Sequence, residues 1–122
     1  MYHILVVDDE ARIRGIIRKY AEFEGHEVTE AADGMQAVLL CRSNTYDIII
    51  MDIMMPVMGG LEAAHAIRTM ERADSNKVPI VAISANAFDE DIRRSLASGM
   101  NAHLSKPIEV DKLRETLGKL LK

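Results

Sequence analysis

Three runs in this 122-residue chain, ILVV at 4–7, IIIM at 48–51 and IVAI at 80–83, are apolar at every position. A strand with one wet face alternates apolar and polar residues, so unbroken runs belong to strands covered on both faces. Helices packed above and below a parallel sheet give that cover, and the stretches between the runs have helical spacing. Residues 10–25 set Ile13, Ile16, Ile17 and Tyr20 on a helical period and stop at Gly25. Helices are also expected at 34–44, 60–73, 89–99 and 109–122, and strands at 3–9, 27–31, 47–52, 78–85 and 102–106. Five strands alternating with five helices through short loops imply an α/β fold. The expected architecture is a doubly wound, three-layer sandwich around a five-stranded parallel sheet, in a single domain covering 1–122.

Composition removes several classes. At 48% hydrophobic and 28% charged, the chain can bury a core and needs no disulfide scaffold. Its net charge of −4, with no long Lys/Arg run, leaves no footprint for direct nucleic-acid binding. Cys41 is the sole cysteine and falls in a helical pattern, where a small core residue is expected. No apolar run approaches the roughly 20 residues that cross a bilayer, and no signal peptide opens the chain. No membrane insertion and a cytoplasmic location are the expectations.

The strand at 47–52 ends on Asp52, a charge that is expensive to hide. The other strands also end on chemistry: Asp8 and Asp9 on the first, Ser84 on the fourth, Lys106 on the fifth. In open parallel α/β sheets ligands bind outside the carboxyl ends of the strands, so these five residues converge on one edge. Three carboxylates brought together are stable in their charged forms only with a cation among them. The set is all hard oxygen, which suits magnesium together with waters and phosphate oxygens. Such a site supports phosphoryl transfer, with one carboxylate left to act as nucleophile. Singly, each residue has a plainer account: an Asp helix cap, a turn serine, a solvated lysine. Their arrival at one edge is the stronger signal.

Read together, ILVVDDE, DIIIMDIMMPVMGGLE, PIVAISA and HLSKP resemble, in order and spacing, the signatures of response regulator receiver domains. The resemblance covers essentially the whole chain and implies a flavodoxin-like (βα)5 fold with strand order 2-1-3-4-5. It further implies that Asp52 is the phosphoacceptor, and that Asp9 and Asp52 hold magnesium directly while Asp8 does so through water. The main-chain carbonyl of Met54 would be a further ligand. Ser84 takes the place of the switch residue, Lys106 pairs with the phosphate, and the Lys106–Pro107 peptide is expected to be cis. The implied phosphodonor is a histidine kinase or histidine phosphotransfer protein. The implied readout is the face formed by the fourth helix, fifth strand and fifth helix, also the family-level expectation for a homodimer.

Some positions depart from the family pattern. Gly59 stands where Asp is frequent, which should alter a local cap and spare the chemistry. His103 replaces the usual Tyr or Phe of the switch, and with ANAFDEDIRRSLASGMNAHLSKPI resembles the receivers of hybrid sensor kinases. Met54 and Asn86 occupy positions that tune dephosphorylation in the family; Met54 orients no water, so a long-lived phosphoryl group is expected. The methionines Met51, Met54, Met55 and Met58 are read as core and loop packing, and His3, His26 and His65 as unrelated to a metal site. Other readings fare worse. A phosphohydrolase of the haloacid-dehalogenase type needs an Asp where Met54 stands, and a flavodoxin needs a phosphate-cradling loop where Asp8, Asp9 and Glu10 stand. An interaction-only pseudo-receiver would not need all five site residues. A free-standing receiver and a segment of a longer regulator or hybrid kinase both fit the chain.

Overall fold

The structure, a computed structural model, describes residues 1–70, 77–85 and 89–121. Its elements are β1 (His3–Val7), α1 (Ala11–Phe23), β2 (Glu27–Ala31), α2 (Gly34–Ser43), β3 (Ile48–Asp52), α3 (Gly60–Arg68), β4 (Ile80–Ser84), α4 (Asp89–Ala97), β5 (Ala102–Ser105) and α5 (Val110–Leu120). All strand pairs are parallel and the order is β2-β1-β3-β4-β5, as expected. The order reverses between β1 and β3, which opens a crevice at their carboxyl ends.

β3 explains its own sequence. Every residue from Ile48 to Asp52 is buried. Ile48 and Ile50 pack with Ile13 and Ile17 of α1 and Leu113 and Leu117 of α5. Ile49 and Met51 pack with Ala37, Val38 and Cys41 of α2 and Ala63, Ala64 and Ile67 of α3. A run apolar at every position is therefore a strand with one core on each face. Each such side chain contributes roughly 1.5–3 kcal/mol by leaving water.

Several boundaries move. The ladder stops at Val7, so Asp8 and Asp9 follow β1 and do not end it; Lys106 likewise follows β5. Ile16, expected on the buried face of α1, is 40% exposed. The buried stripe is Ile13, Ile17 and Ala21, at an i, i+4, i+8 spacing that turns Ile16 outward. Cys41 is buried, and Gly25 ends the α1 region at φ +87, a conformation that suits glycine. Asp33 caps α2 by accepting from Gln36 N at 2.9 Å, while Gln36 Oε1 accepts from Ala32 N at 2.9 Å. Gly59, by contrast, gives α3 a cap without a side-chain bond. Among the described residues no helix is long and apolar enough to cross a membrane. The expectations for residues 71–73 and for Asn86 fall outside the described residues.

Candidate functional site

The carboxyl edge of the sheet gathers Asp8, Asp52 and Lys106 at one point. Lys106 Nζ stands 3.0 Å from Asp52 Oδ2 and 3.3 Å from Asp8 Oδ2. Asp8 and Asp52 are buried, while Asp9 is exposed beside them. The third partner of Lys106 is Glu10, whose Oε1 accepts from Nζ at 3.0 Å. From the sequence, Glu10 counts only as one of the acids set against a phosphate-cradling loop, not as a site residue.

The backbone fixes these groups. Asp52 sits where β3 is still paired, opposite Ile83 of β4, and its Oδ1 accepts from Met54 N at 3.0 Å. Asp8 Oδ1 accepts from Glu10 N at 2.9 Å, and the Asp8 carbonyl accepts from Arg14 Nη1 at 2.6 Å. Arg14 in turn is held by Glu30 Oε1 at 2.9 Å, so a half-buried arginine supports the site from behind. The loop after β3 folds back over its own strand. A Cβ on Gly60 would overlap the Asp52 carbonyl oxygen and lie 2.8 Å from Ile53 Cα, so only glycine fits. Val57, in the same loop, has φ +67, a rare conformation for a β-branched residue.

Ser84 is buried at the end of β4, and its carbonyl accepts from Lys106 N at 2.9 Å. His103 is half-buried on β5, in register with Ala82 and therefore on the same sheet face as Ser84. The Lys106–Pro107 peptide is cis. Of the methionines, Met51 is in the core, Met55 and Met58 pack against it, and Met54 is 76% exposed. His3 contacts Thr29 Oγ1 and His26 accepts from Tyr2 N, so neither reaches the acidic edge.

The electrostatics follow from that arrangement. Burial raises the Asp8 pKa above the usual carboxylate value and the Asp52 charge adds to it; the Glu10 N–H and Lys106 oppose without prevailing. For Lys106, burial works to lower the pKa, but the bonds to Glu10 and Asp52 and the charges of Asp52 and Asp8 raise it overall. The hydrogen bond from Lys106 and its charge lower Glu10. The ammonium stays charged, and the carboxylates around it outnumber it.

A divalent cation fits these residues. Asp8, Asp9 and Glu10 each offer an oxygen, all within 4.8 Å of one another. Asp8 Oδ2 is buried and accepts no hydrogen bond from the described residues; it shares the Lys106 ammonium, at 3.3 Å, with Asp52 and Glu10, which leaves coordination capacity for a cation. The donor set is all carboxylate and carbonyl oxygen, which suits magnesium over softer metals.

Comparison with known proteins agrees with this geometry. The family model described as the response regulator receiver domain matches residues 4–118. The sensor histidine kinase AruS of Pseudomonas aeruginosa is 36% identical over 117 residues, 96% of this chain but 12% of that protein. The chain thus spans a small part of such curated relatives. Among solved structures, the receiver domain of sensor histidine kinase PA1611 from Pseudomonas aeruginosa superposes with a TM-score of 0.89. It is 36% identical, covers 98% of this chain and 97% of its own, and holds a magnesium ion in its active-site cleft. The chemotaxis protein CheY4 of Vibrio cholerae gives a TM-score of 0.92 at 32% identity, with 99% of both chains covered.

Proposed function

Because the chain belongs to the response regulator receiver domain family of two-component signalling, we propose that Asp52 accepts a phosphoryl group from a histidine kinase or histidine phosphotransfer protein. One observation carries the reading: the ammonium of Lys106 stands within 3.3 Å of two buried carboxylates, Asp52 at the end of the central strand and Asp8 just after β1. An Asp52 oxygen attacks phosphorus, the P–N bond to the donor histidine breaks, and the imidazole leaves with the electron pair. Lys106, already on Asp52 Oδ2, stays beside the incoming phosphoryl oxygens. Asp8, Asp9, Asp52 and the Met54 main-chain carbonyl would hold magnesium. Bound there, the cation offsets the negative charge of carboxylates and phosphoryl oxygens.

The Ser84 hydroxyl then donates to a phosphoryl oxygen and His103 follows it inward. These shifts remodel the α4–β5–α5 face, which gains or loses a downstream partner or a second copy of the chain. The domain catalyses only its own phosphorylation and dephosphorylation. Met54 offers no polar group to orient an attacking water, which favours a long-lived phosphoryl group. On this reading the receiver occupies residues 1–122, works in the cytoplasm and contacts no nucleic acid directly.

The test is intact-mass spectrometry after incubation with acetyl phosphate, with and without magnesium, on wild type and Asp52→Asn. A magnesium-dependent gain of one phosphoryl group, absent in the variant, is expected. A gain that persists in Asp52→Asn would sink the assignment of the nucleophile.

A further inference from the structure

The phosphoacceptor mechanism makes no use of Glu10, yet the structure fastens it to the site. Glu10 is the N-cap residue of α1, but its side chain makes no cap bond. The carboxylate instead accepts from Lys106 Nζ at 3.0 Å, and the Glu10 main-chain N–H donates to Asp8 Oδ1 at 2.9 Å. Glu10 and Asp9 are both exposed, so this flank of the opening is acidic. The opposite flank, on the loop after β3, exposes Met54 and Val57, and the pocket beside Met54 adds one charge of each sign, Glu62 and Arg94.

We infer that Glu10 is a specificity-determining residue: its tethered carboxylate at the mouth disfavours free, highly charged phosphodonors relative to donors that bring less negative charge. The inference rests on the phosphoacceptor reading. A phosphoryl group delivered on a protein histidine arrives with its approach set by protein–protein contacts, and so escapes much of this penalty. Acetyl phosphate and phosphoramidate separate the effect chemically, because at neutral pH acetyl phosphate carries one more negative charge. With acetyl phosphate, an Asp52 oxygen attacks phosphorus, the P–O bond breaks and acetate leaves with the electron pair. With phosphoramidate the P–N bond breaks and the protonated nitrogen leaves as ammonia. A unit charge about 6 Å away in a water-like dielectric changes a rate by about threefold for each charge on the donor.

The experiment measures the rate of Asp52 labelling by intact mass with each donor, at saturating magnesium, for wild type, Glu10→Gln and Glu10→Asp. In Glu10→Gln the acetyl phosphate rate should rise about tenfold and the phosphoramidate rate about threefold. Donor preference then shifts about threefold, and added salt should shrink that shift. Glu10→Asp, which restores the charge, should restore the wild-type preference. An equal change with both donors would overturn the inference, as would Glu10→Asp behaving like Glu10→Gln. A loss with both donors that extra magnesium repairs would make Glu10 a metal ligand and also overturn it. If wild type takes no label from either donor, the phosphoacceptor reading falls and this one with it. If wild type labels but the preference is unmoved, only this one falls.

Discussion

Replacing Asp8 with asparagine removes a carboxylate that is 0% exposed and whose Oδ2 accepts no hydrogen bond from the described residues. The bond from Glu10 N to Oδ1 can survive, because an amide oxygen accepts equally well. Burial, with the Asp52 charge behind it, raises the Asp8 pKa from its ordinary 3.8, so without metal the ionised form costs the fold stability. What Asp8→Asn removes is a buried charge repelled by Asp52, and despite an amide NH2 set against Lys106 in place of Oδ2 it should gain about 1–3 kcal/mol in EDTA at neutral pH. Unfolding entropy is about 2.1 cal/mol/K per residue, or about 0.26 kcal/mol/K for this chain, so Tm should rise by about 4–12 °C. The sign follows from proton linkage. Well below pH 3.8 both folded and unfolded wild type are protonated, and the variant has little advantage. As pH climbs from there through the raised folded pKa, the unfolded chain has released a proton that the folded one still holds. Wild type therefore loses stability relative to Asp8→Asn across that window, and the difference levels off above it. Magnesium should shrink the variant's lead: at a hundredfold excess over its dissociation constant it adds about 2.7 kcal/mol to wild type, and less to the variant. Thermal unfolding followed by circular dichroism across pH, with EDTA or magnesium, reads all of this. A lower Tm for Asp8→Asn in EDTA would show that attraction to Lys106 outweighs burial, and the reasoning would be wrong.

Three other perturbations follow from the geometry. Gly60→Ala forces a Cβ against the Asp52 carbonyl and should cost about 2–3 kcal/mol by urea unfolding while slowing the labelling of Asp52; a neutral variant would refute the close approach. Val57→Asn should raise stability by about 1 kcal/mol, since Asn tolerates the left-handed backbone and the 81% exposed valine buries little; an unchanged or lower urea midpoint counts against strain there. Glu30 accepts from Arg14 Nε at 2.9 Å and Arg18 Nε at 2.6 Å. Burial acts to raise its pKa, but the two arginines lower it below 4.5 overall. Glu30→Gln should cost about 1 kcal/mol at neutral pH. That loss should fade as pH falls from 4.5 through the lowered folded value, and a pH-independent loss would mean that packing, not charge, is at stake.

What was legible in the sequence was whatever repeats or interrupts a pattern. Strands apolar on both faces announce helices on both faces, and Asp52 stands out because it breaks such a run. What was hidden depends on partners distant in the chain. Glu10 and Arg14 look like any solvated start of a helix; their roles come from Lys106, 96 positions away, and from the Asp8 carbonyl. Ile16 misled because it is strongly apolar, whereas Ala21, which is fully buried, gives too weak a hydrophobic signal to orient the stripe. Asp8 and Asp9 continue the β1 pattern in the letters, and composition does not show where a ladder runs out. Nothing in the letters around Val57 marks a left-handed turn, since valine is a poor choice for one.

Asp8, Glu10 and Asp52 contact the Lys106 ammonium and exposed Asp9 stands beside them, so the acids gathered at the opening outnumber the ammonium they share. That excess gives the local field at the carboxyl edge a direction. An approaching cation, or a protein presenting a basic rim, is turned toward the acidic end before contact, over a range of about 10 Å at 0.1 M salt. Orientation of the encounter comes from this lopsidedness, and it weakens as ionic strength rises.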